Sequence, residues 1–134
     1  MEQGLRSAEF GSPGPVRDRL VSLILSGLKT STSSLAFDYE VESEPLPVPG
    51  ELELLLDSNG CGVAVLETIA VRVVPLGDIP WSHVVAEGEE HTSVADWRRD
   101  HEEFWAANSP AGRLDDSTPV VMQEFRLVKH VVAD

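Results

Sequence analysis

The spacing of apolar residues predicts two amphipathic helices, because both sets recur at intervals of three and four positions. Pro15 at the start and Gly27 just past the end delimit the first predicted helix. The second is predicted to begin at a cap formed by Thr92 or Ser93 and to end near Ala107. Trp97 and Trp105 lie on the apolar face of the second helix and are expected in the core. The residues that define the two helix faces are Val16, Leu20, Leu23, Ile24, Val94, Trp97, His101, Phe104 and Trp105.

Alternating and continuous apolar runs predict the strands. Asn59-Gly60 supplies tight-turn chemistry, so residues 51–57 and 62–74 are expected to pair as a hairpin. Residues 119–128 predict a closing strand, and a short strand followed by a polar loop is expected after Thr32. The combination predicts an α+β fold, a small β-barrel of about five to six mixed strands flanked by helices.

Glu67 interrupts the apolar pattern of the second hairpin strand. Side chains two positions apart share a sheet face, so Glu67 is expected among β-branched residues. An ionised carboxylate there is costly unless it is paired, hydrogen-bonded or protonated. Three interpretations stay open: a functional carboxylate that needs a cationic partner, a bulge that turns Glu67 outward, or a purely structural ion pair. The other residues at odd positions are Val63, Val65, Ile69, Val71 and Val73.

The length of 134 residues fits one domain, expected over residues 15–134 after a flexible, Gly-, Ser- and Pro-rich lead-in at residues 1–14. The single cysteine excludes an internal disulfide and fits a reducing cytoplasm. No apolar run is long enough to cross a membrane, and no signal peptide is visible. A cytoplasmic protein without a membrane partner is therefore predicted, and the sequence does not define its oligomeric state.

The charge distribution narrows the possible partners. The formal net charge of −13 argues against duplex DNA, whose binding depends on neutralising phosphates. Residues 35–68 carry eight acidic side chains and no lysine or arginine, whereas residues 1–34 carry a net charge of +1. Lys29, followed by five hydroxyl residues at positions 30–34, lies in this less acidic part. A nucleoside or a short single-stranded RNA remains compatible with such a site.

Lys29, Thr32 and Glu67 are the candidate catalytic residues. A lysine can act as base for a threonine nucleophile, and a partly buried carboxyl can pass a proton to a leaving amine. The same residues can also bind a ligand without reacting, and a solvated Ser/Thr turn is the structural alternative. No histidine stands at metal-ligand spacing from another histidine or from Cys61, so neither a metal nor another cofactor is predicted.

The order of several motifs resembles that of the ASCH-domain family, a branch of the PUA-like barrels, in its longer bacterial form. The resemblance runs from about Phe10 to Leu127, nearly the whole chain. The segments that carry it are Gly27-x-Lys29-Thr30-x-Thr32, Phe37-x-Tyr39-Glu40, Val48-Pro49-Gly50, Leu66-Glu67-Thr68, Ala86-Glu87-Gly88-Glu89, Trp97-Arg98 with His101 and Phe104, and Val121-Met122-Gln123-Glu124-Phe125.

The resemblance implies a closed barrel with a cleft in which Lys29 and Thr32 face Glu67. Some members of the family are amidohydrolases that deacetylate N4-acetylcytidine through a lysine, a threonine and a glutamate, whereas others bind RNA or cleave single-stranded RNA. The three functions predicted here are therefore an N-acyl amidohydrolase, a non-catalytic RNA- or nucleoside-binding module and a ribonuclease. The predicted substrate-binding residues are Ser33, Ser34, Tyr39, which offers a stacking surface, Arg98 and Glu124.

Overall fold

The computed structural model describes residues 4–131 as one mixed sheet with helices packed against it. The first half of the chain forms short elements, and the second half supplies the longest helix and two long strands. In chain order the elements are β1 (Arg6–Ala8), α1 (Pro15–Leu25), β2 (Ser31–Leu35), α2 (Ala36–Val41), β3 (Leu52–Leu56), β4 (Gly62–Pro75), a 3-10 turn (Leu76–Asp78), α3 (Trp81–Glu87), α4 (Val94–Asn108) and β5 (Pro119–His130).

The sheet is open, which corrects the expectation of a closed barrel. Its strand order is β1-β3-β4-β5-β2, with β1 parallel to β3 and the other pairs antiparallel. The edge strands β1 and β2 are only three and five residues long, and neither pairs with the other. Both nevertheless line one cavity, so the sheet curls until its two edges face the same space.

The predicted helices and hairpin are confirmed. Pro15 lies in the first turn of α1, and Ser93 caps α4 by accepting a hydrogen bond from the Asp96 backbone N–H at 3.0 Å. Trp97 and Trp105 are buried, as their places on the apolar face of α4 predict. The strands β3 and β4 pair on either side of the Asn59-Gly60 turn.

Two apolar clusters cover the sheet. One gathers residues of β2, β5, α3 and α4, and the other gathers residues of β1, α1, β3, β4 and β5. The first cluster consists of Leu35, Leu76, Ile79, Val84, Trp97, Trp105, Val120 and Met122. The second consists of Ala8, Val21, Ile24, Leu55, Ala64, Leu66 and Phe125.

Two elements differ from the sequence-based expectation. Arg6–Ala8 forms β1 within the segment expected to be a flexible lead-in, of which residues 1–3 lie outside the described part. The helix α2 replaces the polar loop expected after β2, and its lack of a buried residue explains why no apolar periodicity predicted it. Within residues 4–131, every helix is too short or too polar to span a bilayer.

Candidate functional site

Lys29 is buried at the junction between α1 and β2. Its backbone N–H donates to the carbonyl of Leu23 at 3.1 Å, which holds it directly after the helix. Only 2% of the residue is exposed. Its Nζ donates to the Ser31 carbonyl at 2.9 Å, to Glu89 Oε2 at 2.8 Å and to the Glu87 carbonyl at 3.4 Å. Three acceptors therefore match the three N–H donors of an ammonium group.

Glu87 is the carboxylate around which the buried polar side chains gather. Its Oε2 accepts from Ser33 Oγ at 2.5 Å and from Trp97 Nε1 at 3.0 Å, and it lies 2.9 Å from His83 Nε2. Its Oε1 lies 3.2 Å from His101 Nε2 as a charge contact. The four partners come from β2, α3 and α4, so one side chain ties three elements together.

The protonation states of Glu87 and His101 depend on each other. Burial alone would raise the pKa of Glu87, but the contacts with His101 and His83 and the charge of Lys29 hold that pKa well below its ordinary value of 4.5. Burial would likewise lower the pKa of His101, but the contact with Glu87 and its charge raise that pKa above 6.5. The two groups therefore favour a carboxylate facing an imidazolium.

The same cluster can offer ligands to a cation. One ligand atom from each of Glu87, Glu89 and His101 lies within 4.8 Å of the others. Lys29 Nζ lies 2.8 Å from Glu89 Oε2 and 3.7 Å from Glu87 Oε1. The ammonium of Lys29 therefore supplies the positive charge that this carboxylate pair requires.

A cavity of about 620 Å³ opens beside this cluster. That volume lies within the range of roughly 300–1,000 Å³ typical of small-ligand sites. Five of the eight predicted site residues line it: Lys29, Thr32, Ser33, Ser34 and Tyr39. The structure thus brings the Lys-Ser/Thr segment and the predicted aromatic residue to one site.

Tyr39 forms part of the wall contributed by α2. The guanidinium of Arg6 lies 5.8 Å from the centre of its ring, within the range of a cation–π contact. Burial raises the pKa of Tyr39 although a hydrogen bond with Ser34 opposes the shift. The phenol is therefore neutral at physiological pH and can stack on or donate to a ligand.

Glu67 does not meet Lys29, so the predicted convergence of these residues is wrong. Its Oε1 accepts from Arg126 Nε at 2.7 Å and also lies 2.7 Å from Arg126 Nη2. Glu67 is not among the residues that line the cavity. The alternative interpretation of Glu67 as part of a structural ion pair describes its contacts correctly.

The position of Glu67 was predicted wrongly because the pairing register of β4 is irregular. The pairing of β4 with β5 shifts between Thr68 and Ala70, which leaves Ile69 as an extra residue. Beyond Ile69 the alternation is offset, so the odd-numbered residues that follow no longer share a sheet face with Glu67. Thr68 contacts the cavity residue Gln123, so its neighbour Glu67 points to the opposite face of the sheet. A strict two-residue alternation therefore misplaced Glu67.

Arg98 and Glu124 also lie outside the cavity, against the prediction that they bind substrate. Arg98 donates to Glu102 at 3.0 Å and to Asp116 at 2.6 Å, which connects α4 to the segment before β5. Glu124 is exposed, and the neighbouring residue in β5, Gln123, lines the cavity instead.

The main residues that the sequence analysis did not select are His83, Glu87, Glu89, His101 and Gln123. A local signal existed for His83 and Glu87, because residues four apart lie on the same helix face. The contacts of Glu87 and Glu89 with Lys29 had no such signal, since they join positions 58 or more residues apart. Only the packing of α3 against β2 creates the contact.

Gly88 holds α3 close to the start of β2. It has φ +69°, and a Cβ added there would clash with the carbonyl oxygen of Leu28. We expect Gly88→Ala to lower the free energy of unfolding by about 1–2 kcal/mol for the left-handed backbone and by about 1–3 kcal/mol more for the overlap. Urea denaturation followed by circular dichroism measures the difference.

Gly60→Ala is the matched control. Gly60 also has a left-handed φ of +78°, but nothing lies within 4 Å of a Cβ built there. It should show the backbone cost alone, so equal losses of stability in the two variants would contradict the close approach of Gly88 to Leu28.

The chain belongs to the ASCH domain family, because the model of that domain matches residues 6–129. A search of the curated proteins found no significant match. The family assignment agrees with the motifs that suggested the resemblance, and it extends into β1.

Solved structures show the same fold. A protein from Enterococcus faecalis is 28% identical, with a TM-score of 0.81 over 93% of this chain and 77% of that one. An ASCH domain from Lactobacillus crispatus is 21% identical, with a TM-score of 0.83 over 95% of this chain and 80% of that one. An ASCH protein from Zymomonas mobilis is more distant, at 12% identity and a TM-score of 0.55 over 85% of this chain and 69% of that one.

Proposed function

We propose that this protein binds a nucleoside, free or at an unpaired position of a short single-stranded RNA, in the cavity between β1 and β2. The observation that carries this proposal is the joint lining of one cavity by the Thr32–Ser34 hydroxyl segment, Tyr39 and several carboxylates. Hydroxyls and carboxylates match the hydroxyl and amine donors of a nucleoside, and an aromatic ring provides a stacking surface for its base.

The charge of the cavity favours a nucleoside over a long nucleic acid. Carboxylates outnumber cationic side chains in the lining, and Lys29 already contacts two carboxylates. A polyphosphate chain would meet repulsion there, whereas a neutral nucleoside would not. The acidic residues in the lining are Glu9, Asp38, Glu42, Glu44, Glu53, Glu87, Glu89 and Asp100, and the cationic ones are Arg6, Arg19, Lys29 and, as an imidazolium, His101.

Family membership supports the proposal at the level of the fold. Two of the similar structures come from Enterococcus and Lactobacillus, in keeping with a bacterial origin. A cytoplasmic location follows from the proposal itself, since RNA and nucleosides occur there and the exposed thiol of Cys61 would stay reduced.

Hydrolysis of an N-acylated nucleoside such as N4-acetylcytidine is the second candidate function. It is favoured by the presence of Thr32 and Lys29 on one cavity wall. Thr32 Oγ1 would attack the acyl carbonyl, its proton would pass to the departing amine, and water would release the acyl group from the threonine. Because Glu67 is remote, the carboxylate available to relay a proton through Lys29 is Glu89.

Binding is tested by titrating the protein with cytidine and with a short oligocytidylate by calorimetry. Wild type is expected to bind both, and Ser34→Ala to weaken both about tenfold through loss of a hydroxyl from the cavity. Glu67→Gln is the matched control, since it removes a carboxylate outside the cavity and should leave affinity unchanged. If neither cytidine nor the oligocytidylate binds, the proposal is overturned.

Catalysis is tested separately with N4-acetylcytidine and chromatography of the products. Release of cytidine and acetate by wild type and Glu67→Gln, with a loss of at least a hundredfold in Thr32→Val, is expected for the hydrolase. Binding of N4-acetylcytidine without turnover would leave the binding function and refute hydrolysis. Chain cleavage of the oligocytidylate would indicate the ribonuclease instead.

A further inference from the structure

Gln123 lies on the wall of the cavity with its side-chain amide fixed in one orientation. Its Nε2 donates to Glu53 Oε1 at 2.7 Å and to Thr68 Oγ1 at 2.9 Å. A carboxylate oxygen accepts and cannot donate, so the nitrogen and not the oxygen of the amide must face Glu53. Both N–H groups of Gln123 are therefore used within the protein.

The orientation of this amide leaves its oxygen available to a ligand. Within residues 4–131, Gln123 Oε1 accepts no hydrogen bond, and both Gln123 and Glu53 line the cavity. Thr68 is only 2% exposed and also contacts Glu53, so the three side chains hold one another in place. The wall consequently presents two acceptors, Gln123 Oε1 and the Glu53 carboxylate.

We infer that Gln123 and Glu53 select nucleobases that carry an exocyclic amine, with Gln123 Oε1 and the Glu53 carboxylate accepting its N–H groups. This inference rests on the proposed nucleoside-binding function and adds a base specificity to it. An amine donates up to two hydrogen bonds and matches two acceptors. A carbonyl at the same position of the base would face two acceptors and remain unpaired, and sites of this kind discriminate strongly against such a ligand.

The neighbouring strand keeps the two acceptors beside the hydroxyl segment. Gln123 of β5 pairs directly with Thr32 of β2, so the two side chains are cross-strand neighbours on the same face of the sheet. The amine-binding wall and the candidate nucleophile therefore belong to the same part of the cavity. An acylated amine held by Gln123 would present its carbonyl near Thr32.

Cytidine and uridine test the inference, because at position 4 they differ by an amine against a carbonyl. Wild type is expected to bind cytidine at least tenfold more tightly than uridine in calorimetric titrations. Glu53→Gln replaces one acceptor with an amide that can also donate. It is expected to reduce the discrimination to about threefold or less, mainly by improving uridine binding.

Thr68→Val gives a second, nearly isosteric test within the same side-chain group. It removes one of the two acceptors of Gln123 Nε2 and leaves Glu53 as the other, so the Gln123 side chain is held less firmly and discrimination is again expected to fall. Glu124→Gln is the control, because Glu124 adjoins Gln123 in β5 but is exposed to solvent. Thermal melts identify any variant that is unfolded and is therefore excluded from the comparison.

The possible outcomes separate the two proposals. Equal affinity of wild type for cytidine and uridine would overturn the base specificity and leave nucleoside binding intact. Unchanged discrimination in both Glu53→Gln and Thr68→Val would also overturn it. Binding of neither nucleoside would refute the proposed function and this inference with it.

Discussion

Urea denaturation is expected to show that Glu87→Ala lowers the free energy of unfolding by about 3–5 kcal/mol. The substitution would remove one carboxylate partner of Lys29, which is 2% exposed, and the contacts with buried His83 and half-buried His101. It would also leave Trp97 Nε1 and Ser33 Oγ without their acceptor. Breaking a buried charge network from one side costs far more than the network contributes as a whole, because the remaining charges stay desolvated.

Glu67→Ala is the matched control for this effect. Glu67 pairs with Arg126, whose side chain is 59% exposed, and such surface ion pairs contribute about 0–1 kcal/mol. Circular dichroism at increasing urea concentration measures both variants. A loss below about 1 kcal/mol in Glu87→Ala would show that its contacts do not hold α3 and α4 to β2.

The pH dependence of stability is the second large effect. The depressed pKa of Glu87 contributes stability above its ordinary value of 4.5, and this contribution disappears as pH falls below 4.5 through the folded-state pKa. The raised pKa of His101 contributes stability below 6.5, which is lost as pH rises from 6.5 through the folded-state value. This pair therefore predicts greatest stability between pH 4.5 and 6.5, with slopes of at most about 1.4 kcal/mol per pH unit and group.

His101→Phe separates the alkaline part of that profile from the acidic part. His101 stacks on Trp97 with ring centres 4.2 Å apart, and a phenyl ring preserves that contact. The charged groups around it are Glu87 and Glu89, and His91 lies 5.9 Å away between ring centres. The variant should lose the decline above pH 6.5 and keep a smaller decline below 4.5, because His83 and Lys29 still lower the pKa of Glu87, as measured by thermal melts across pH. A decline above 6.5 that persists unchanged would exclude His101 as its cause.

The elements that the sequence predicted well are those whose signals are local. Pro15 and Gly27 bound α1, Ser93 caps α4, and Asn59-Gly60 turns the hairpin, each through the chemistry of one or two residues. Lys29, Thr32 and Tyr39 were likewise brought to one cavity as predicted. What the sequence could not predict is the partner of Lys29. Glu67 points to the face of β4 opposite Thr68 and the cavity, and only tertiary packing brings Glu87 and Glu89 to the lysine.

The sequence pattern also could not predict whether the sheet closes into a barrel. Periodicity defines which residues form a strand, but it does not say whether the first and last strands of a sheet pair with each other. Here β1 joins β3 in parallel through only three residues, Arg6 to Ala8, a length that no periodic pattern can identify. The sheet therefore stays open at the place where the cavity forms.

The pairing of β2 with β5 has a consequence for the order of folding. β2 ends at Leu35, and its one strand partner within residues 4–131 begins at Pro119, so the hydroxyl segment of the cavity cannot be fixed before β5 has been synthesised. Contacts of such long sequence separation form slowly. The sequence of β2 is Ser-Thr-Ser-Ser-Leu. Because this strand edge is polar, we expect it to have little tendency to aggregate before it is paired. We therefore expect the hydroxyls that line the cavity of the folded protein also to disfavour edge-to-edge association before β5 is present.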